Sequence, residues 1–525
     1  LSQIADLRMD ERTYEPCVMY VNGEYWGVYE LREKVDDLDF TDYYYDQGAG
    51  DVEFLKTWGG TWEEYGTIDE WDDLRDFILG NDMTDPGNYD YVKDLYNTGS
   101  LIDYFTLNSY VVCADWLNWN TGWWRGLNPD GDKRKWRYIL WDMDATFGHY
   151  INFTGVPDQS ADADLCDPEQ LGDPGGQGHV PIWNTLLENE EFFADYINRF
   201  SDLSGSYFSC EFMHSHLDSL VGLIQPEMPR HIDRWGGTMA EWEANVQEVR
   251  DFIDTRCATV NEGVLDCYDE LDGPYEITLM ANPPEGGRID LPTFEISEYP
   301  YTTTYFGGID VPFDADENDG YVFSHWTANN QVITPDELQE EIVMNFTADD
   351  TLTAHFVAEE FFELTLDVNP AGSGTITYNG TTYSSFPVTI EVAGSTMGEA
   401  TANPINGWDL DNWIADFALD TSPLDNPVTF TVLDNGTLTA NFFEVIYDVS
   451  FDVSPEAVGS IMVDGDELSE YPQVLSLPGN VPIDIRAKAT EEFYDFSHWS
   501  TLSAVPVPDD LTENIRIWIN PSDSN

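Results

Sequence analysis

Asp115 and Asn120 stand five residues apart, Asp142 and Asp144 follow 27 and 29 residues after Asp115, and Arg125, Lys133, Arg134, Lys135 and Arg137 lie between the two groups. Phosphoryl transfer asks for these side-chain types. One carboxylate orients the attacking hydroxyl, an amide oxygen and a further carboxylate hold magnesium, and positive charge meets the phosphates. The concentration of bases stands out because the whole chain carries only 21 Lys and Arg.

Three elements must position this set. The stretch "SLIDYFTLNSYVVCADWL" carries apolar residues at helical spacing and is expected to deliver Asp115 to a helix end. "KWRYILWDMDATFG" reads as a strand that opens into a turn at Asp142 and Asp144. Upstream, "CVMYVNGEYWGVYELREKVDD" is a hairpin, since Asn22-Gly23 between alternating apolar residues is a strong turn signal. "EWDDLRDFILG" is a second helix. Protein kinases use D-x-x-x-x-N followed by a strand ending in a metal-binding Asp, and "DWLNWN" followed by "WDMD" has that layout. Simpler readings exist: Asp142 and Asp144 as caps in a strand-to-helix turn, "KRKWR" as a solvated hairpin, and the tryptophans at 116, 119, 123 and 124 as core rather than a sugar-stacking platform.

The 525 residues exceed what one hydrophobic core usually organises. With 100 Asp and Glu the formal net charge is -79, which repels nucleic acid, anionic lipid and free nucleotide unless cations intervene. Such self-repulsion is tolerable where the Debye length has shrunk to roughly 3 Å near 1 M salt. A saline habitat, bound divalent cations including Ca2+ at acidic surface sites, and an ordinary acidic secreted protein all fit. Six cysteines, all before residue 268, suit disulfides outside the cytoplasm; Cys257 and Cys267 would close a short loop. No apolar run is long enough to span a membrane. The opening "LSQIADLRMD" is no signal peptide and reads as the tail of a helix, so the chain is expected to begin inside a larger precursor.

From about residue 275 the chain repeats. Trp326, Trp413 and Trp499 sit in "FSHW", "LDNW" and "FSHW" at spacings of 87 and 86, and "LTAHF" and "LTANF" close the first two units. Alternating segments such as "ELTLDVNP" predict small all-β domains with one Trp in each core, over 275–358, 361–444 and 446–525. The pattern resembles the divergent internalin-type B repeats of bacterial surface and secreted proteins, which implies spacers or adhesive stalks.

Over residues 1–270, "YVNGEYWGVYELREKVD", "ADWLNWNTGWWRG", "KWRYILWDMDATFG", "PIWNTLLENEEFFADYINRF" and "VRDFIDTR" together resemble the CotH family of spore-coat-type protein kinases. The resemblance implies a multidomain chain, with an α+β atypical kinase-like domain ahead of the three β repeats. It also implies transfer of phosphate from ATP, with Mg2+ or Mn2+, to Ser or Thr of secreted, surface or coat proteins. On this reading Asp115 is the catalytic carboxylate, Asn120 and Asp142 are metal ligands with Asp142 the main one, and Asp144 is either a second metal ligand or a turn-stabilising carboxylate. Leu31, Glu33 and Lys34 lie near the adenine, and Arg125 meets the nucleotide. Family members carry strands over the nucleotide and a phosphate-facing Lys ahead of the hairpin. Lys34 falls at the hinge and is not that Lys, so with Leu1 as the true start catalysis would be weak or absent. The expected protein is extracellular or on the cell surface, has no nucleic-acid partner, and is open to self-assembly. The alternative is an inactive structural or adhesive filament protein on the same fold, with a glycan-binding module third.

Overall fold

The computed structural model describes residues 1–35, 38–48, 50–149, 151–479, 481–501 and 510–519. Its chain divides into two compact units, 1–358 and 359–525.

In the first unit the central sheet is built from β1 (Asp10–Glu11), β4 (Val52–Thr57), β5 (Thr61–Tyr65), β6 (Thr121–Gly126) and β7 (Arg137–Leu140), while β2 (Tyr14–Val21) and β3 (Glu24–Arg32) form a separate hairpin. The sheet order is β1-β7-β6-β4-β5, with β1 parallel to β7 and the other neighbours antiparallel. The hairpin turns at Asn22-Gly23, both at positive φ, as the sequence predicts.

Helices cover this sheet. After α1 (Leu38–Tyr45), α2 (Asp69–Gly80) buries Trp71, Leu74 and Ile78, one stripe at helical spacing, and begins with Asp69, Glu70 and Asp72 facing its dipole. In α3 (Pro86–Leu95) Pro86 occupies the first turn and Asp85 accepts from the Gly87 amide. α4 (Thr98–Tyr110) is buried on every side from Ser100 to Tyr110, so it forms the domain's axis. Beyond it lie α5 (His179–Leu186), α6 (Glu190–Gly205), α7 (Cys210–Ile224), α8 (Met228–Trp235) and α9 (Met239–Cys267).

Three sequence expectations are corrected here. α4 does not carry Asp115: the helix ends at Tyr110, and Val112, a β-branched residue at φ 51°, turns the chain away into a loop. Cys257 and Cys267 do not pair with each other; the bridges are Cys166–Cys267 and Cys210–Cys257, with Cys17 and Cys113 free. The opening residues form turns, Ala5 N–H bonding Leu1 C=O at 2.9 Å and Leu7 N–H bonding Ser2 C=O at 3.0 Å, rather than a helix.

The first β unit comprises β8 (Asp272–Asn282), β9 (Gly287–Asp290), β10 (Glu295–Ile296), β11 (Tyr301–Gly307), β12 (Val311–Glu317), β13 (Tyr321–Ala328), β14 (Ile342–Met344) and β15 (Asp350–Ala358). They make two four-stranded sheets, β11-β8-β15-β13 and β10-β9-β12-β14, around Trp326. This sandwich is fused to the helical domain: Phe306 and Ile309 belong to the helical core, and α6 packs on β11. At the seam Asp202 of α6 accepts from the hydroxyls of Tyr305 (2.6 Å) and Thr293, and Asn198 donates to the Asp310 carbonyl at 2.9 Å.

In the second unit, residues 361–444 repeat the two-sheet plan around Trp413. The indole N–H of Trp326 donates to the Glu340 carbonyl at 3.0 Å, that of Trp413 to Asp425 at 3.1 Å and that of Trp499 to Thr512 at 3.0 Å, so the Trp contact recurs at all three positions. Trp326 and Trp413 are buried, whereas Trp499 packs half-buried against its core. Residues 480, 502–509 and 520–525 of the third expected unit lie outside the described residues.

Candidate active site

Asp142 and Asp144 follow β7 directly and stand exposed on a cleft of about 550 Å³. Its floor is apolar: Leu107 and Val111 from the end of α4, Leu140 from β7, Met213 and Leu217 from α7, and Ile253 from α9. Its polar side adds Glu11, Arg12, Glu30 and Arg32 to the two aspartates.

Asp115 lies behind this wall, 9% exposed, on the loop after α4. Two backbone bonds lace that loop to the one after β7, Ala114 N–H to Ala145 C=O at 2.9 Å and Phe147 N–H to Val111 C=O at 3.0 Å. Thr154 Oγ1 clamps the same loop, accepting from the Trp116 amide at 2.8 Å and donating to the Trp116 carbonyl at 2.7 Å. The lacing sets Asp115 within electrostatic reach of both exposed aspartates. Burial, then the charge of Asp144, then that of Asp142, raise its carboxyl above the ordinary carboxylate range, and the Asn120 hydrogen bond opposes the rise.

Asn120 Nδ2 donates to Asp115 Oδ2 at 2.9 Å, which leaves the amide oxygen of Asn120 free of that bond. Asp115 Oδ1 is buried without a hydrogen-bond partner, an orphaned acceptor of the kind an incoming hydroxyl or cation would satisfy. Val112, Leu117, Asn120, Asp142 and Phe147 all take positive φ in this segment, a concentration of backbone strain of about 1–3 kcal/mol each where the loops meet. Cys113, one turn away, is no nucleophile: burial pushes its thiol up to about 12.

The structure therefore brings together Asp115, Asn120, Asp142 and Asp144. It does not bring the basic cluster to them. Arg125, expected to meet nucleotide, points from β6 to Glu53 on β4 at 2.7 Å and lies over the Trp136 ring. Arg137 is buried against Asp10 at 2.8 Å, while Lys133, Arg134 and Lys135 are exposed in the turn before β7. The physical reason is local neutralisation. Glu53 and Asp10 are buried carboxylates, and a buried charge is tolerated only when paired.

The hinge residues lie at the edge of the cleft. Glu30 and Arg32 line the cleft, and strand alternation turns Leu31, 71% exposed, away from it. Glu33 accepts from Thr13 Oγ1 at 3.1 Å and from Tyr44 OH at 2.8 Å; Lys34 is exposed just beyond β3. Trp116, Trp123 and Trp124 are core. Sequence reasoning missed Arg12, and it missed Asp10, whose carboxylate gathers Arg137, Trp124 Nε1 and Tyr45 OH. No local motif marks either residue.

Among the described residues no three His, Cys, Asp or Glu side chains are grouped to hold a metal ion. The donors present nonetheless suit magnesium, which is commonly held by one or two carboxylates and completed by substrate phosphates and water. Asp142 and Asp144 are two exposed carboxylates on the cleft, and the orphaned Asp115 oxygen lies just behind them.

The family described as CotH kinase protein matches residues 2–260, and the divergent InlB B-repeat domain matches residues 277–360 and 364–445. No curated protein matches. Among solved structures, the Bacillus anthracis TIE protein is 10% identical at a TM-score of 0.20, over 47% of this chain and 48% of that one, so the chain spans about half the length of that relative. The major pilin protein (T-13) from Streptococcus pyogenes is 8% identical at a TM-score of 0.14, over 33% of this chain and 98% of that one. No described helix is long and apolar enough to cross a membrane. Residues 2–260 are a CotH kinase protein domain, followed by two divergent InlB B-repeat domains.

Proposed function

We propose that residues 1–270 transfer the γ-phosphoryl group of ATP to Ser or Thr hydroxyls of extracellular or surface proteins, with the β units over 275–358, 361–444 and 446–525 as a stalk. The observation that carries this reading is the pair Asp142 and Asp144 on an apolar-floored cleft, with Asp115 and its partner Asn120 just behind them, Asp115 within their electrostatic reach. A floor of Leu, Val, Met and Ile suits a purine ring, and the carboxylates suit the metal-bound end of the nucleotide.

Asp115 orients the acceptor hydroxyl and takes its proton as the new O–P bond forms; the bond from the γ-phosphorus to its bridging oxygen breaks and the nucleoside diphosphate leaves. A carboxyl raised by burial and by its acidic neighbours is a better proton acceptor than an exposed one. Asn120 holds that carboxylate in place through Oδ2 and leaves Oδ1 to the hydroxyl. Asp142, Asp144 and the Asn120 amide oxygen would hold Mg2+ or Mn2+, which when bound neutralises phosphate charge.

The test is calorimetric titration of ATP with magnesium or manganese into the full chain and into Asp142→Ala, with circular dichroism as a check of the fold. Binding by the parent chain and its loss in a folded variant supports the assignment; unchanged binding in Asp142→Ala overturns it. Absence of binding in both proteins supports the second reading, in which the domain is an inactive scaffold of a surface or filament protein.

A further inference from the structure

The proposed site needs positive charge for the phosphates, and no residue of the basic cluster between Asn120 and Asp142 lines the cleft. Arg125 serves Glu53, Arg137 serves Asp10, and Lys135 donates to the Lys93 carbonyl. The arginines lining the cleft among the described residues are Arg12 and Arg32. Arg32 is engaged, its Nε donating to Glu30 Oε2 at 2.6 Å.

Arg12 differs from both. Among the described residues it makes no ion pair or hydrogen bond, and its Nε is buried without a partner. Acids outnumber bases 100 to 21 in this chain, so a cleft arginine without a carboxylate is conspicuous. A guanidinium with a desolvated, unsatisfied donor carries a cost that an anionic ligand would relieve.

Its position is fixed from two sides. β1 runs parallel to β7 with Glu11 opposite Leu140, so Arg12 and Trp141 leave the sheet side by side and Asp142 follows at once. Four residues earlier Arg8 is clamped to Asp103 of α4, Nε to Oδ2 at 3.1 Å and an Nη to Oδ1 at 2.9 Å, which anchors the segment. The planar guanidinium fork matches two phosphate oxygens, a geometry that a lysine ammonium does not reproduce.

We infer that Arg12 is the phosphate-binding cation of this cleft, taking the polyphosphate of a nucleoside triphosphate beside Asp142 and Asp144. The inference rests on the nucleotide reading proposed above. It replaces Arg125 in that role and puts the positive charge just past the end of β1, beside the turn that carries Asp142 and Asp144.

The test titrates ATP with magnesium, and separately adenosine, into the full chain and its Arg12→Gln and Arg12→Lys variants. Loss of a charge-assisted hydrogen bond is expected to weaken ATP binding about tenfold or more in Arg12→Gln. Arg12→Lys should fall between, and adenosine should bind all three proteins alike. Equal ATP affinity in Arg12→Gln, or an equal loss of adenosine, overturns the role of Arg12 while leaving the nucleotide site standing. Failure of the parent chain to bind either ligand overturns both.

Discussion

The seam between α6 and the first β unit should titrate. Asp202 is fully buried there, and burial raises its carboxyl to about 6, although Thr293, Tyr305 and Arg199 oppose the rise. Against an unfolded value of about 3.9, a difference near two pKa units corresponds to roughly 3 kcal/mol. The folded state binds this proton more tightly than the unfolded one. The stabilisation is therefore fully present below about pH 4 and is lost as pH rises through about 6. Of the whole, about 2 kcal/mol falls between pH 4.5 and 7.5 by the same linkage. Many other carboxylates titrate in that interval, so the perturbation is Asp202→Asn, which removes one group and keeps the shape. Urea unfolding of the full chain is followed at pH 4.5 and 7.5 by hydrogen exchange at β11, so that the transition read is that of this unit. Parent and variant should differ in their pH dependence by about 2 kcal/mol, the parent losing more stability on going to pH 7.5. Equal pH dependence in the two proteins would refute the argument that burial holds this carboxyl up.

Two further perturbations test other parts of the molecule. Asp103 sits on α4 with no exposed side-chain surface and accepts from both Arg8 and Arg199, so Asp103→Asn strands two guanidinium groups and should cost about 3–5 kcal/mol in urea unfolding of the first unit. A loss below about 1 kcal/mol would show that the arginines find other partners. Trp413→Ala empties the centre of the second β unit and should cost about 3–5 kcal/mol, with faster hydrogen exchange within residues 361–444. Unchanged exchange there would mean that Trp413 is not what holds that unit together.

What was legible in the sequence was local. The hairpin at Asn22-Gly23 is decided by two residues that accept positive φ, and the strand before Asp142 by the sheet-forming Trp136, Tyr138 and Ile139. The β units could be read because a period near 87 residues sets the same tryptophan against the same sheets. The end of α4 was misplaced because apolar spacing runs on past Tyr110, while Val112 at φ 51° actually ends the helix, and only tertiary packing rewards that conformation. The disulfides escaped for a related reason: Cys166 and Cys267 are 101 residues apart, and which ends of two helical segments meet is a matter of topology.

The charges show most clearly why proximity in sequence is a poor guide to a site. Arg125 lies five residues from Asn120, yet its side chain crosses to Glu53, because β6 pairs with β4 with Arg125 opposite Glu53. Arg137 lies five residues before Asp142, yet it is drawn to Asp10 because β1 lies alongside β7. In each case a strand pairing set a buried carboxylate beside an arginine, and the cost of leaving that carboxylate bare decided where the cation went. With so few bases in the chain, buried acids claim their cations first, and what remains for a ligand in this cleft is Arg12, which no carboxylate of the described residues reaches. That arginine follows β1, more than a hundred residues upstream of the aspartates it joins, where no spacing rule would place it.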